Sequence, residues 1–212
     1  MHLNLIIKFA GQIYIMHIYI VFCHPSKKSF TYSVLQSFLA GLHETEHTYE
    51  LADLYGMNFQ TDMDLDQYER ETSFNPAFPV PAEVLAEQKK INRANALVLI
   101  YPVWWSDCPA KLKGWFDRVW TLGYAYTYEE GAHAPSKIKI NKALVICPAG
   151  HPEEYLEEIG IAGSMRRIML SDRLLGVGVK EASMEILGGM VTHDPLIRKK
   201  NLQRAFRLGK NF

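Results

Sequence analysis

Residues 96 to 119 constrain the fold more tightly than any other stretch. Ala96-Leu97-Val98-Leu99-Ile100 is apolar at every position and too short for a helix. It reads as a strand buried on both faces, and such strands belong inside parallel sheets covered by helices. Pro102 ends the strand, and Trp104 and Trp105 follow in a loop. Ser106 or Asp107 stands where a helix cap belongs, and Pro109 suits a first turn. Leu112, Trp115, Phe116 and Val119 then recur at i, i+3, i+4 and i+7, one apolar stripe that faces a sheet. Val103 to Ser106 therefore lie at the carboxyl end of a parallel strand, where open α/β sheets bind ligands. Flat aromatics beside exposed backbone amides suit a planar ring with a polar edge.

The rest of the chain repeats the alternation. Strands are expected at 17–23, 48–54, 96–101, 142–147 and within 174–183. Helices are expected at 29–42, 82–93 and 109–120, through most of 152–172, and at 195–208. Short apolar strands alternating with helical patterns specify βαβ units and right-handed crossovers. Five strands fit the doubly wound order 2-1-3-4-5. Residues 55–81 show no clear period and carry Asp62, Asp64, Asp66, Glu69 and Glu71. The segment is too long for an ordinary connection, which marks it as functional, interfacial or mobile. Its acids lack the glycine and terminal glutamate of a calcium loop and read as solvated.

Composition narrows the function. At 212 residues the chain makes one domain with a real core. Lys and Arg number 23 against 23 Asp and Glu, so net charge steers it neither to nucleic acid nor to a membrane surface. The basic residues from Arg198 to Lys210 alternate with Leu202, Phe206 and Leu208 and read as the solvated face of a last helix. No run reaches the roughly 18 apolar residues of a membrane span. Three cysteines make no disulfide framework and fit a reducing, cytoplasmic setting. Cys108 sits near a helix start, which lowers a thiol pKa, but no Cys–His arrangement accompanies it. The histidines show no metal spacing, so no metal is expected. The segment from Met16 begins as a first strand would, so residues 1–15 are expected to be an upstream extension without a signal-peptide cleavage site, and 16–212 the domain.

The loop after the first strand runs Cys23-His24-Pro25-Ser26-Lys27-Lys28-Ser29-Phe30-Thr31-Tyr32-Ser33. It has no glycine, which excludes a P-loop and a Rossmann fingerprint. It still suits a phosphate. Ser29, Thr31 and Ser33 offer hydroxyls, the helix start offers free N–H groups and a favourable dipole, and His24 offers a ring donor.

The stretch YPVWWSDCPAKLKGWFDRV, Tyr101 to Val119, resembles the flavin-ring loop of the NAD(P)H:quinone oxidoreductase family. HPSKKSFTY resembles that family's phosphate loop. The resemblance implies a flavodoxin-like fold and a flavin, FMN rather than FAD because the chain is shorter at its end than the longer FAD-using members. It implies ping-pong, two-electron reduction of a quinone or similar flat acceptor with NAD(P)H as donor, and a homodimer whose contact uses a segment like 55–81. Carried over residue by residue, the cofactor site comprises His24, Ser29, Phe30, Thr31 and Tyr32; Pro102, Val103, Trp104, Trp105 and Ser106; and Ala149 and Gly150 through their N–H groups. The family's Thr-Thr-Gly-Gly run is here Pro148-Ala149-Gly150-His151, and Pro148 has no N–H to give. Tyr155 stands where the family places an active-site tyrosine, so its phenol is expected to stabilise charge or protonate a quinone oxygen. The histidine that often partners this tyrosine has no counterpart nearby, which leaves His151 as a substitute and implies altered acid–base help. The aromatic stretch Gly123 to Tyr128 resembles a hairpin that helps form the substrate pocket. Within the fold, an azo or nitro reductase and a flavoprotein accessory subunit of a potassium-efflux transporter are the alternatives.

Overall fold

A computed structural model describes residues 15–73, 75, 78–127 and 136–212. Residues 1–14 of the expected extension, and Tyr128 of the aromatic stretch, lie outside the described residues. Five parallel strands, β1 (His17–Phe22), β2 (Thr48–Asp53), β3 (Ala96–Ile100), β4 (Lys142–Pro148) and β5 (Glu181–Leu187), form one sheet in the order β2-β1-β3-β4-β5. This is the expected doubly wound, flavodoxin-like arrangement.

The pleat of β1 sorts the core into two layers. Ile18, Ile20 and Phe22 pack on one face with Val34, Leu35 and Phe38 of helix α1 (Phe30–Leu42) and Ala205 of helix α7 (Pro195–Lys210). Tyr19, Val21 and Cys23 turn to the other face, with Ile91 of α3 (Ala82–Arg93) and Leu112, Trp115, Phe116 and Val119 of α4 (Ala110–Val119). The stripe read from the sequence is thus the buried face of α4. Helices α1 and α7 cross where two glycines meet. A Cβ on Gly41 would stand 2.0 Å from the Phe206 carbonyl oxygen, and one on Gly209 2.0 Å from that of Phe38. Only glycine allows backbones to approach so closely.

Two expectations need correction. The last strand is Glu181–Leu187, not within 174–183. Leu174, Leu175, Val177 and Val179 drew the reading forward, but they make a single 3-10 turn, Leu175–Val177, broken by Gly178 at φ 101°. The true strand lies at the sheet edge, so Glu181 and Ser183 face out and weaken its apolar signal. The acidic segment is not all irregular or solvated either. Asp64 caps helix α2 (Leu65–Thr72) by accepting from the Gln67 N–H at 2.8 Å. Glu71 accepts from the Leu122 N–H at 2.6 Å and pairs with the buried Arg70. Helix α4 admits the segment at Gly114, where a Cβ would come within 2.6 Å of Thr61.

The region 152–172 resolves into α5 (Glu153–Glu158), α6 (Ile161–Arg166) and a π-helical turn, Arg167–Asp172. No helix among the described residues is long and apolar enough to cross a membrane.

Candidate functional site

Past their last residues, the three central strands stay stitched together. The Cys23 N–H donates to the Ile100 carbonyl at 3.0 Å, Tyr101 to Ile146 at 3.3 Å, and Val103 to Pro148 at 2.8 Å. The loops after β1, β3 and β4 are therefore delivered side by side at the carboxyl edge of the sheet. The His24 and Trp104 rings meet edge-on with centroids 5.9 Å apart, which joins the first loop to the second.

In the loop after β1, Ser29 is the N-cap of α1 and accepts from the Tyr32 N–H at 3.1 Å. The Ser33 hydroxyl donates to the Ser29 carbonyl. Thr31 is buried, and Tyr32 packs edge-on against Phe22. The Ser29 oxygen thus caps the helix while its own O–H stays available to donate, and the Ser33 O–H is engaged by the backbone. Further donors for an anion are the N–H groups of Phe30 and Thr31, which have no acceptor among the described residues, as the first amides of a helix usually lack one. His24 adds another. Burial lowers its pKa below the ordinary histidine value, against an opposing hydrogen bond with the Ser26 backbone. Its Nδ1 faces the Ser26 backbone, 2.9 Å from the N–H and 3.1 Å from the carbonyl oxygen. Lys27 and Lys28 are exposed. Arg198 of α7 is not merely solvated: its guanidinium lies 4.7 Å over the Phe30 ring, bringing a cation to the start of α1.

The loop after β3 is a tight turn. Trp104 and Asp107 exchange two backbone hydrogen bonds, at 3.0 and 3.1 Å. Between them Trp105 has φ 48° and Ser106 φ 66°, the sign pattern of a type I′ turn. Such turns favour Asn and Gly; left-handed backbone costs other residues about 1–3 kcal/mol each and collects at functional sites. The turn leaves Trp105 wholly exposed and Trp104 41% exposed. The N–H groups of Trp105 and Ser106 find no acceptor among the described residues. Pro102 is buried and Val103 half-buried beneath the turn.

Asp107 does not cap α4, as the sequence reading allowed; nor does Ser106, and Pro109 takes the cap position. The Asp107 carboxylate instead accepts from the Cys108 N–H at 2.7 Å and from both terminal nitrogens of Arg173 at 3.0 Å. Burial pushes its pKa up, but these bonds outweigh that and hold it below the ordinary carboxylate value. Cys108 is corrected too: burial, with Asp107 beside it, pushes its thiol up to about 12. Burial pushes Cys23 up to about 12 as well, and Cys147 still higher. A thiolate nucleophile is therefore not formed at neutral pH.

In the loop after β4, the Ala149 N–H is already given to the Leu187 carbonyl at 3.1 Å. Of the two amides expected to serve a ligand, Gly150 alone is left, with the His151 N–H next to it. A Cβ on Gly150 would meet nothing closer than Val191 at 4.0 Å, so the space in front of it is open. The His151 and Tyr155 rings stand 5.1 Å apart, and Tyr155 is 45% exposed at the site's rim. The aromatic stretch divides: Tyr124 is buried and donates to Asn92 at 3.0 Å, a core role, while the Tyr126 hydroxyl donates to Glu71 at 3.1 Å.

The site thus offers an anion cradle at one end, exposed indoles in the middle, and unpaired amides with a phenol and an imidazole at the other. That donor set fits a phosphate-bearing, planar, polar-edged ring.

A family model described as a flavodoxin-like fold matches residues 16–207. A solved NAD(P)H:quinone oxidoreductase from Methanothermobacter marburgensis is 57% identical, with a TM-score of 0.88, over 93% of this chain and 97% of that one. An uncharacterised NAD(P)H oxidoreductase of Haemophilus influenzae is 27% identical over 187 residues, 88% of this chain and 90% of its own length. NAD(P)H dehydrogenase [quinone] 1 of Cavia porcellus is 29% identical over 163 residues, 71% of this chain. The match spans only 59% of that relative's length.

Proposed function

The chain belongs to the flavodoxin-like family, and on that premise we propose that it is a flavin-dependent NAD(P)H oxidoreductase that reduces quinones or similar flat acceptors by two electrons. The observation that carries this reading is the stitching of three loops at one sheet edge, with His24 against Trp104 and Val103 bonded to Pro148. The relative at 57% identity, with near-complete coverage of both chains, supports the same activity.

Each group of residues has a role that its chemistry suits. The Phe30 and Thr31 N–H groups, the His24 ring and Arg198 would hold a phosphate at the start of α1. These anion-binding features gather at one helix end, which favours FMN, with its single phosphate, over FAD. Trp104 and Trp105 would flank the ring. The N–H groups of Trp105, Ser106, Gly150 and His151 would donate to its polar edge. A bound flavin supplies the electron transfer between donor and acceptor; the protein supplies orientation and electrostatics. Tyr155, with His151 against it, would give a proton to an acceptor oxygen at the rim. His151 thereby takes the place of the tyrosine's missing partner.

Trp105 projects into solvent from a single chain. A second copy covering it would complete the acceptor pocket, so the working form is a homodimer, and light scattering should give twice the chain mass. The free, buried cysteines suit a cytoplasmic setting. Mass spectrometry of the cofactor released from purified protein tests the reading. FMN is expected. FAD would correct the cofactor, and protein that binds neither flavin would overturn the proposal.

A further inference from the structure

We propose that Arg173 is a positioning residue for the flavin-ring loop, holding the turn Trp104 to Asp107 in the left-handed geometry that leaves two amides unpaired. The inference rests on the flavin reading above. Arg173 follows the π-helical turn Arg167–Asp172, and its N–H reaches back to the Ile168 carbonyl at 3.1 Å. Its side chain is only 10% exposed. Both terminal nitrogens grip the Asp107 carboxylate at 3.0 Å, and one also approaches Cys108 Sγ at 3.5 Å. The guanidinium lies 5.6 Å from the Phe116 ring centre, and the Arg173 carbonyl accepts from Trp120 Nε1 at 2.8 Å. Arg173 is thus fixed to α4 at both backbone and side chain.

Asp107 is the closing residue of the turn, so the planar fork fixes the turn's position from outside it. Trp105 and Ser106 resist their positive φ values, and the two backbone hydrogen bonds between Trp104 and Asp107 restrain the turn from its ends. A bulged π turn at this point agrees with the tendency of such turns to mark functional sites. A lysine cannot reproduce the grip, because it lacks the two-pronged geometry.

The test follows loss of flavin from the full-length holoprotein on dilution, read by flavin fluorescence. Arg173→Met, Arg173→Lys and the near-isosteric Asp107→Asn should each speed release about tenfold, which corresponds to about 1.4 kcal/mol. Asp107→Asn reads the effect even where an arginine variant folds poorly. Ser106→Gly added to Arg173→Met should restore most of the retention, because glycine accepts positive φ without a clamp. A salt bridge that merely fastened the π turn to α4 would gain nothing from that glycine. Release at the wild-type rate from Arg173→Met and Asp107→Asn, or no recovery in the double variant, would overturn the inference while leaving the flavin site standing. Wild-type protein that holds no flavin would overturn both.

Discussion

Asp107 shows how one side chain can matter without touching a ligand. Its carboxyl is held below the ordinary value of 3.8. A carboxylate whose folded pKa is depressed contributes stability that is fully present above the unfolded value and is lost as pH falls through the folded one. The melting-temperature difference between wild type and Asp107→Asn should therefore be constant at neutral and mildly acid pH and close only below about pH 3.8. A difference that closed near neutrality would point to another group. In the role proposed above, Tyr155 acts at the rim rather than in the phosphate cradle. Tyr155→Phe should slow quinone turnover about a hundredfold, a typical loss for a general acid, with flavin retention unchanged. A steady-state assay beside a flavin-release measurement separates the two. The loops after β1, β3 and β4 were legible as motifs, but the bonds their side chains make were not. Ser33 offers a hydroxyl to a phosphate in sequence, yet that hydroxyl donates to the Ser29 carbonyl, and Ser29 also caps the helix. The Asp107–Arg173 pair spans 66 positions, and no local pattern could announce it.

At the scale of elements, the helix and strand signals were strongest where burial is two-sided. β3 is buried at every residue and α4 carries a clean stripe, so both stood out. β5 is an edge strand and α2 is short and polar, so both were obscured by their surroundings. The Gly41–Gly209 crossing lies far from the site and gives an independent check on packing. Gly41→Ala or Gly209→Ala forces a methyl against a carbonyl oxygen. Overpacking costs about 1–3 kcal/mol, and a 2.0 Å approach to backbone belongs at the upper end. Urea denaturation of the holoprotein should show this loss, and the flavin spectrum of the folded variants should be unchanged. Gly114→Ala should act differently, loosening the segment around Thr61 from α4 and raising its protease sensitivity.

The whole molecule follows a general rule of doubly wound sheets: the ligand site collects where strand ends converge. The strand order β2-β1-β3-β4-β5 places β1, β3 and β4 side by side, so their loops must share one edge. That much follows from the alternation of elements. We propose on the same basis that a chain starting at Met16 folds and binds flavin like the full protein; soluble expression and a melting curve check it. The closure by a second copy proposed above has no local signal in the sequence, because exposed indoles read the same in a cleft and at an interface. If the three loops make a flavin site for two-electron transfer, an anaerobic titration with NADPH will show it. The purified protein should show flavin absorption that bleaches in one step without a long-wavelength band and returns on adding 1,4-benzoquinone. Protein that stays colourless after incubation with both flavins, or flavin bands that NADPH leaves untouched, would contradict it.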